Sequence, residues 1–241
     1  MSGHSKWSNI KHKKEKSDAV RGKIFTKIGR EIAIAVREGG ADPNNNSRLR
    51  DVIAKAKANN MPNDNIQRSI KKASGEGSGV SYEEITYEGY GKGGVAVFVE
   101  TLTDNRNRTA SDVRHLFDKF GNSLGATGCV AWMFDRKGVL ILERTQERSE
   151  DDVMMAAIEA GAEDFTAYEE NYEILTAPAD LGAVREALEG QGYTFVSSEL
   201  EYLPQNTVAM DPETQEALDK LIENLEDLDD VQNVYHNGEE A

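Results

Sequence analysis

One cysteine, Cys129, occurs in 241 residues, which excludes an intrachain disulfide and a cysteine-rich metal site. Such scarcity fits a reducing, cytoplasmic setting. No stretch approaches the roughly 18 apolar residues of a membrane helix, and the basic N-terminus lacks the following apolar segment of about 7 to 15 residues that a secretory signal needs. The four histidines, His4, His12, His115 and His236, have no ligand spacing. Carboxylates are plentiful, but no spacing gathers them for metal-assisted chemistry, so neither a metal nor another cofactor is expected. Gly121-Asn122-Ser123-Leu124-Gly125 has the letters of a serine nucleophile elbow, which belongs on a strand-to-helix turn. Here it leaves a helix and enters a strand, and helix-ending glycines account for it. Gly89, Gly91, Gly93 and Gly94 have the composition of a phosphate loop, yet they join two strands and read as a hairpin turn. Catalysis is not expected.

Positive charge is scarce overall and concentrated in one place. The formal net charge is -15, with a pI of about 4.8. Residues 1–72 carry 17 Lys and Arg against 7 Asp and Glu, a net of +10; residues 73–241 carry 11 against 36, a net of -25. The average argues against a polyanion partner, but the segregation puts a cationic surface at one end. With 38% hydrophobic and 29% charged residues, the remaining composition is that of a soluble globular protein long enough for two or three domains.

The N-terminal arm holds Lys6, Lys11, Lys13, Lys14 and Lys16 without apolar periodicity, and is expected to be partly disordered when alone. From Ser17, a good N-cap, apolar residues fall at Val20, Ile24, Ile28, Ile32 and Val36, with Phe25 and Ala35 beside them. Steps of four on a 3.6-residue period give one broad buried face, and Gly39-Gly40 ends the helix. Its other face carries Arg21, Lys23, Lys27, Arg30 and Arg37. A second helix after Pro43 places Leu49, Val52, Ile53 and Ala56 inward. Asn59-Asn60-Met61-Pro62 breaks it, and a third helix turns Ile66, Ile70 and Ala73 inward and Arg68, Lys71 and Lys72 outward. The result is a three-helix bundle with cationic outer rows. Lys and Arg that neutralise phosphates release counterions, giving sequence-independent affinity with a steep salt dependence. The candidate phosphate contacts are Lys6, Lys11, Lys13, Lys14, Arg21, Lys23, Lys27, Arg30, Arg68, Lys71 and Lys72. Trp7 is a candidate for stacking on bases, or for pinning the arm to the protein. The plainer alternative is that each charged row is a solvated helix face.

Ser74-Gly75-Glu76-Gly77-Ser78-Gly79 reads as a flexible linker. Beyond it, strands are expected at Glu84–Tyr90, Val95–Leu102 and Cys129–Phe134, with a helix capped by Thr109 between the last two. From Gly138 the order strand, helix, strand, strand, helix, strand runs to Leu203, a complete ferredoxin-like βαββαβ unit. That leaves Gln205–Ala209 (strand), Glu213–Leu225 (helix) and Asp230–His236 (strand) as one half and residues 95–134 as another. Pairing these halves gives an α+β chain: a basic arm and three-helix bundle at 1–74, followed by two ferredoxin-like α/β sandwich domains, one discontinuous from 80–136 plus 204–241 and one inserted at 137–203. The element Asp104-Asn105-Arg106-Asn107-Arg108-Thr109 sits where a strand ends and a helix begins. There Arg106 and Arg108 could clamp phosphate, or the Asp and Asn could only cap and turn the chain.

The chain resembles the YebC family of gene-expression regulators. The resemblance is carried by Gly3-His4-Ser5-Lys6-Trp7 with Ile10-Lys11, Met61-Pro62-Asn63-Asp64-Asn65-Ile66, Tyr87-Glu88-Gly89-Tyr90-Gly91, and Leu102 through Thr109. It implies three domains, a cytoplasmic location and no catalytic activity. It also implies nucleic acid as partner, for which two hypotheses stand: a DNA-binding transcriptional regulator, or a ribosome-associated translation factor gripping ribosomal RNA through the same basic end.

Overall fold

The computed structural model describes residues 18–75, 81–145 and 147–240. The arm candidates Lys6, Trp7, Lys11, Lys13 and Lys14, and the expected cap Ser17, lie outside the described residues. Within them the chain is α+β, with an N-terminal helical bundle followed by two four-stranded antiparallel sheets.

Helices α1 (Asp18–Gly39), α2 (Ser47–Ala58) and α3 (Asn63–Ser74) form the bundle. Ile28, Ile32, Ala35 and Val36 of α1 meet Leu49, Val52 and Ala56 of α2 and Ile66 and Ile70 of α3 in one core, following the apolar periodicity. Asn46 joins the first two helices. Its Oδ1 accepts the Leu49 N–H at 3.0 Å as the N-cap of α2, and its amide donates to the Ala35 and Gly40 carbonyls at 2.7 and 2.8 Å. One buried side chain thus satisfies orphan backbone groups at two helix ends. The approach requires glycine at 39, because a Cβ there would lie 2.7 Å from the Asn46 side chain.

In the first sheet, β1 (Glu83–Tyr90) and β2 (Ala96–Thr103) form an antiparallel hairpin. β3 (Ser123–Leu124) extends β1, and β9 (Val231–His236), from the far end of the chain, extends β2, giving the order β3-β1-β2-β9. Helices α4 (Arg106–Phe120) and α7 (Pro212–Asp227) cover one face, where Val97, Val99, Val113, Phe117, Leu218 and Leu221 are buried together. The second sheet contains β4 (Phe134–Glu143), β5 (Asp164–Ala167), β6 (Asn171–Thr176) and β7 (Ser197–Pro204) in the order β5-β6-β4-β7. With α5 (Glu150–Ala160) and α6 (Leu181–Gly190) packed on it, this is the ferredoxin-like arrangement. The sheets meet through an aromatic cluster in which the Phe98 ring lies 4.7 Å from Tyr202 and Tyr202 lies 5.4 Å from Tyr235.

Three local expectations change. Cys129–Phe134 is not a strand: Ala131–Met133 is a 3-10 turn, and pairing starts only at Phe134. The cause is Glu88, a buried acid that accepts the N–H groups of Gly128, Val130 and Ala131 at 2.7, 2.8 and 2.8 Å and so curls this segment around itself. Helix α4 starts before Thr109, because Asn105 takes the capping role by accepting from the Arg108 N–H at 3.1 Å. The strand expected at Gln205–Ala209 is the shorter β8 (Val208–Met210), which pairs in parallel with β10 (Gly238–Glu240) outside both main sheets.

Candidate nucleic-acid interface

The sequence placed cations on one face of α1, and the fold turns much of that face toward the acidic C-terminal end of α7. Lys23 forms an ion pair with Asp227, and the Lys27 ammonium donates to the Glu226 carbonyl at 2.7 Å. Cations suit this place, since the last carbonyls of a helix carry the negative end of its dipole. One turn further along α1, Arg30 pairs with Asp230, donates to the Leu102 carbonyl at 2.9 Å and lies over the Tyr82 ring.

Asp230 is also the target of the Asp104–Thr109 element. Arg108 donates to both Asp230 carboxylate oxygens, at 2.8 and 3.0 Å, and to Asp104 at 2.8 Å. The buried Thr109 hydroxyl donates to the same carboxylate at 2.7 Å. The side chains of Asp230 and Arg30 are only 9% and 13% exposed. Burial alone would raise the Asp230 carboxyl, but hydrogen bonds from Arg108, Thr109 and Arg30 outweigh it and hold the group below its ordinary range. The same bonds to Asp230, together with those to Asp104, push the Arg108 guanidinium above its ordinary value. The element therefore caps α4 through Asn105 and clamps an internal carboxylate through Arg108, while Arg106 remains exposed.

Helix α3 is arranged differently. Arg68, Lys71 and Lys72 are exposed on the side opposite buried Ile66 and Ile70. Arg21 is exposed near the start of α1. Seven of the nine described candidates fall into two sets, with Arg21 and Arg106 outside both. Lys23, Lys27, Arg30 and Arg108 converge on the stretch from Glu226 to Asp230, and Arg68, Lys71 and Lys72 share the outer face of α3.

Sequence reasoning missed a second ionic junction. Lys55 of α2 lies 2.9 Å from Glu31 of α1 and 3.1 Å from Glu199 of β7. Burial opposes its charge, but Glu199 and Glu31 more than offset that and hold the ammonium above its ordinary value. Nearby, Asp51 of α2 pairs at 3.0 Å with Arg185 of α6, whose side chain is nearly buried. Lys55 and Glu199 are 144 positions apart in sequence and Asp51 and Arg185 134, so no local spacing marks either pair.

Among the described residues, no three or more His, Cys, Asp or Glu side chains are grouped to hold a metal ion, and no helix is long and apolar enough to cross a membrane. Ser123 of the Gly121–Gly125 run occupies the two-residue strand β3, after a helix rather than before one.

Residues 5–76 match the family described as "TACO1/YebC protein N-terminal domain", and residues 82–238 match "TACO1/YebC second and third domain". The chain is 65% identical over 238 residues to a "Probable transcriptional regulatory protein" of Acetivibrio thermocellus, covering 98% of each chain. A protein of the same description from Ruminiclostridium cellulolyticum is 64% identical over 241 residues, covering 100% of this chain and 97% of the other. The crystal structure of a conserved hypothetical protein from Aquifex aeolicus superposes with a TM-score of 0.85 at 48% identity, over 94% of this chain and 93% of that one. With both family descriptions matched in order along nearly its whole length, the chain belongs to the TACO1/YebC family.

Proposed function

We propose that this protein is a non-catalytic cytoplasmic regulator of gene expression that binds DNA through its basic N-terminal arm and bundle. The observation that carries the reading is the exposed row Arg68, Lys71 and Lys72 on α3, set within residues 1–72 of net charge +10 on a chain whose remainder is -25. Such a face attracts a polyanion while the acidic remainder repels it, which orients the encounter. The relatives' description as probable transcriptional regulatory proteins supports a regulator and puts DNA first. We assign phosphate contacts to Lys6, Lys11, Lys13 and Lys14 of the arm and to Arg21, Arg68, Lys71, Lys72 and Arg106, with Trp7 stacking on a base. Lys23, Lys27, Arg30 and Arg108 are held by internal partners and would contribute only where the bundle shifts from the end of α7. Fluorescence anisotropy on duplex DNA across a salt series tests the arm. The triple change Lys11→Ala, Lys13→Ala, Lys14→Ala should weaken binding to many sequences alike and flatten the salt slope by about 0.7 to 0.9 per lost contact. Unchanged affinity and slope would remove the arm from the interface.

A second reading, a translation factor bound to ribosomal RNA, draws support from the fate of α1. From Lys23 to Arg30 its cations meet partners within the protein, so that stretch of the longest bundle helix is not presented to a groove, and the short α3 row suits backbone contacts better than base readout. Contacts of that kind serve a structured RNA equally well. Sedimentation with ribosomes, lost on nuclease treatment or at raised salt, would favour this reading. Absence from ribosomes together with promoter-selective binding would favour DNA.

A further inference from the structure

Four large hydrophobic side chains are exposed among the described residues, and three lie on one helix: Met154, Met155 and Ile158 of α5, at 36%, 58% and 60% exposure. The inner face of α5 already buries Val153, Ala156 and Ala157, so the fold does not need apolar residues on the outer one. Other outer helices show what solvent ordinarily selects. α6 exposes Ala183, Glu186, Ala187 and Glu189, and α7 exposes Glu213, Glu216, Asp219, Lys220 and Glu223. On α5, Met154 and Ile158 make one row at i, i+4 spacing; Met155 lies between Asp151 and Glu159 in the next row.

We propose that this outer face of α5 is a docking surface for a cationic amphipathic helix of a partner protein. Charge selects the occupant. Residues 147–164 contain seven Asp and Glu against one Arg; Glu150 and Glu163 pair with Arg144 and Lys137, and Asp151 and Glu159 are exposed beside the strip. That arginine, Arg148, lies over the Tyr193 ring at 3.9 Å and donates to the Gln191 carbonyl at 3.0 Å. An apolar strip rimmed by carboxylates matches a helix with hydrophobic anchors at i, i+3, i+4 and i+7 and Lys or Arg beside them. Charge complementarity of that kind steers encounter and excludes wrong partners. Two methionines let the strip adapt to anchors of different shape. A second copy of the chain would set Asp151 and Glu159 against their own counterparts, and an anionic membrane or nucleic acid would be repelled.

The test uses the full chain labelled at the methionine methyl carbons, six positions of which Met154 and Met155 report on the face. The probe is a synthetic leucine and lysine amphipathic helix of about 18 residues, long enough to form turns in water. Saturable shifts at the Met154 and Met155 methyls are expected, with little change at Met61 and Met210. Ile158→Glu should weaken binding at least about tenfold, and Asp151→Lys with Glu159→Lys should favour a leucine and glutamate helix instead. Unperturbed Met61 and Met210 methyls in each variant establish that it is folded. Equal binding of the two helices by the unaltered chain, or shifts confined to other methionines, would overturn the proposal. So would shifts that grow with protein concentration alone, which assign the face to a second copy, or shifts caused by zwitterionic vesicles and not by the peptide, which assign it to lipid. Shifts on deleting residues 2–16, before any peptide is added, would assign the face to the chain's own arm and equally overturn it.

Discussion

Helices α1 and α3 carry similar cationic rows in the sequence and use them in opposite ways. In α1, Lys23, Lys27 and Arg30 end on Asp227, Glu226 and Asp230 of the same chain. In α3, Arg68, Lys71 and Lys72 face solvent. The difference lies in what stands opposite: the α1 cations meet the carboxylate and backbone carbonyls that end α7 and the carboxylate of Asp230. A row of charge in a sequence therefore states a need for counter-charge without saying who supplies it. Under the proposed function the distinction matters, since the α1 cations would have to leave partners within the chain before meeting a polyanion.

The sharpest way to break the comparison is to remove the carboxylate that α1 and α4 share. Asp230→Ala leaves Arg30 enclosed without its partner, and losing one member of a buried pair costs about 3 to 5 kcal/mol. Urea denaturation should show a loss near the lower figure, because Arg108 is half exposed and can turn to water and Asp104. Asp227→Ala removes an exposed pair and should cost less than about 1 kcal/mol. Equal losses in the two variants would mean that Asp230 is no more than a surface contact.

Binding provides the next test. Arg68→Ala, Lys71→Ala and Lys72→Ala together should flatten the salt slope for nucleic acid by about 2 to 3, at about 0.7 to 0.9 per contact, and weaken all sequences alike. Stability should stay within about 0.5 kcal/mol, as for surface positions away from packed or paired groups. Lys23→Ala with Lys27→Ala should leave the slope in place. If this pair flattens it as strongly as the α3 triple does, the α1 row reaches phosphate and the contrast between the helices fails.

What the sequence made legible was what depends on neighbours. Apolar residues every three or four positions placed the bundle core from Ile28 to Ile70, and the order of elements after Gly138 yielded the ferredoxin-like unit. The cationic surplus of residues 1–72 could also be counted directly. What stayed hidden depends on partners distant in the chain. Arg30 and Asp230 are 200 positions apart, and nothing beside either residue announces the other. Glu88 reads as one more acid in a strand, yet three amides from residues 128–131 converge on it and abolish an expected strand. Exposed cations and internally paired ones share a local pattern, which is why Lys27 and Lys71 could not be told apart before the fold was known.

Acid stability sharpens the comparison further, because only one of the two rows faces a carboxylate of depressed pKa. Asp230 is held below the ordinary carboxylate range in the fold, so the unfolded chain takes up its proton first. The stability it contributes is complete above the unfolded value of about 3.9 and is lost as pH falls through the lower folded value. His236 acts in a separate window. Burial lowers its pKa from 6.5 to about 4, and its neutral Nδ1 accepts the Gly238 N–H at 3.2 Å. Its contribution is therefore complete above pH 6.5 and declines as pH falls toward 4. Two successive losses are expected in denaturation midpoints measured against pH. Asp230→Asn keeps the size of the side chain and one acceptor oxygen, so it should cost less at neutral pH than Asp230→Ala while flattening only the lower step. The α3 triple change should leave both steps unaltered, since none of its three residues takes part in either. A lower step that survives in Asp230→Asn would place the acid-sensitive carboxylate elsewhere and detach the α1 row from it.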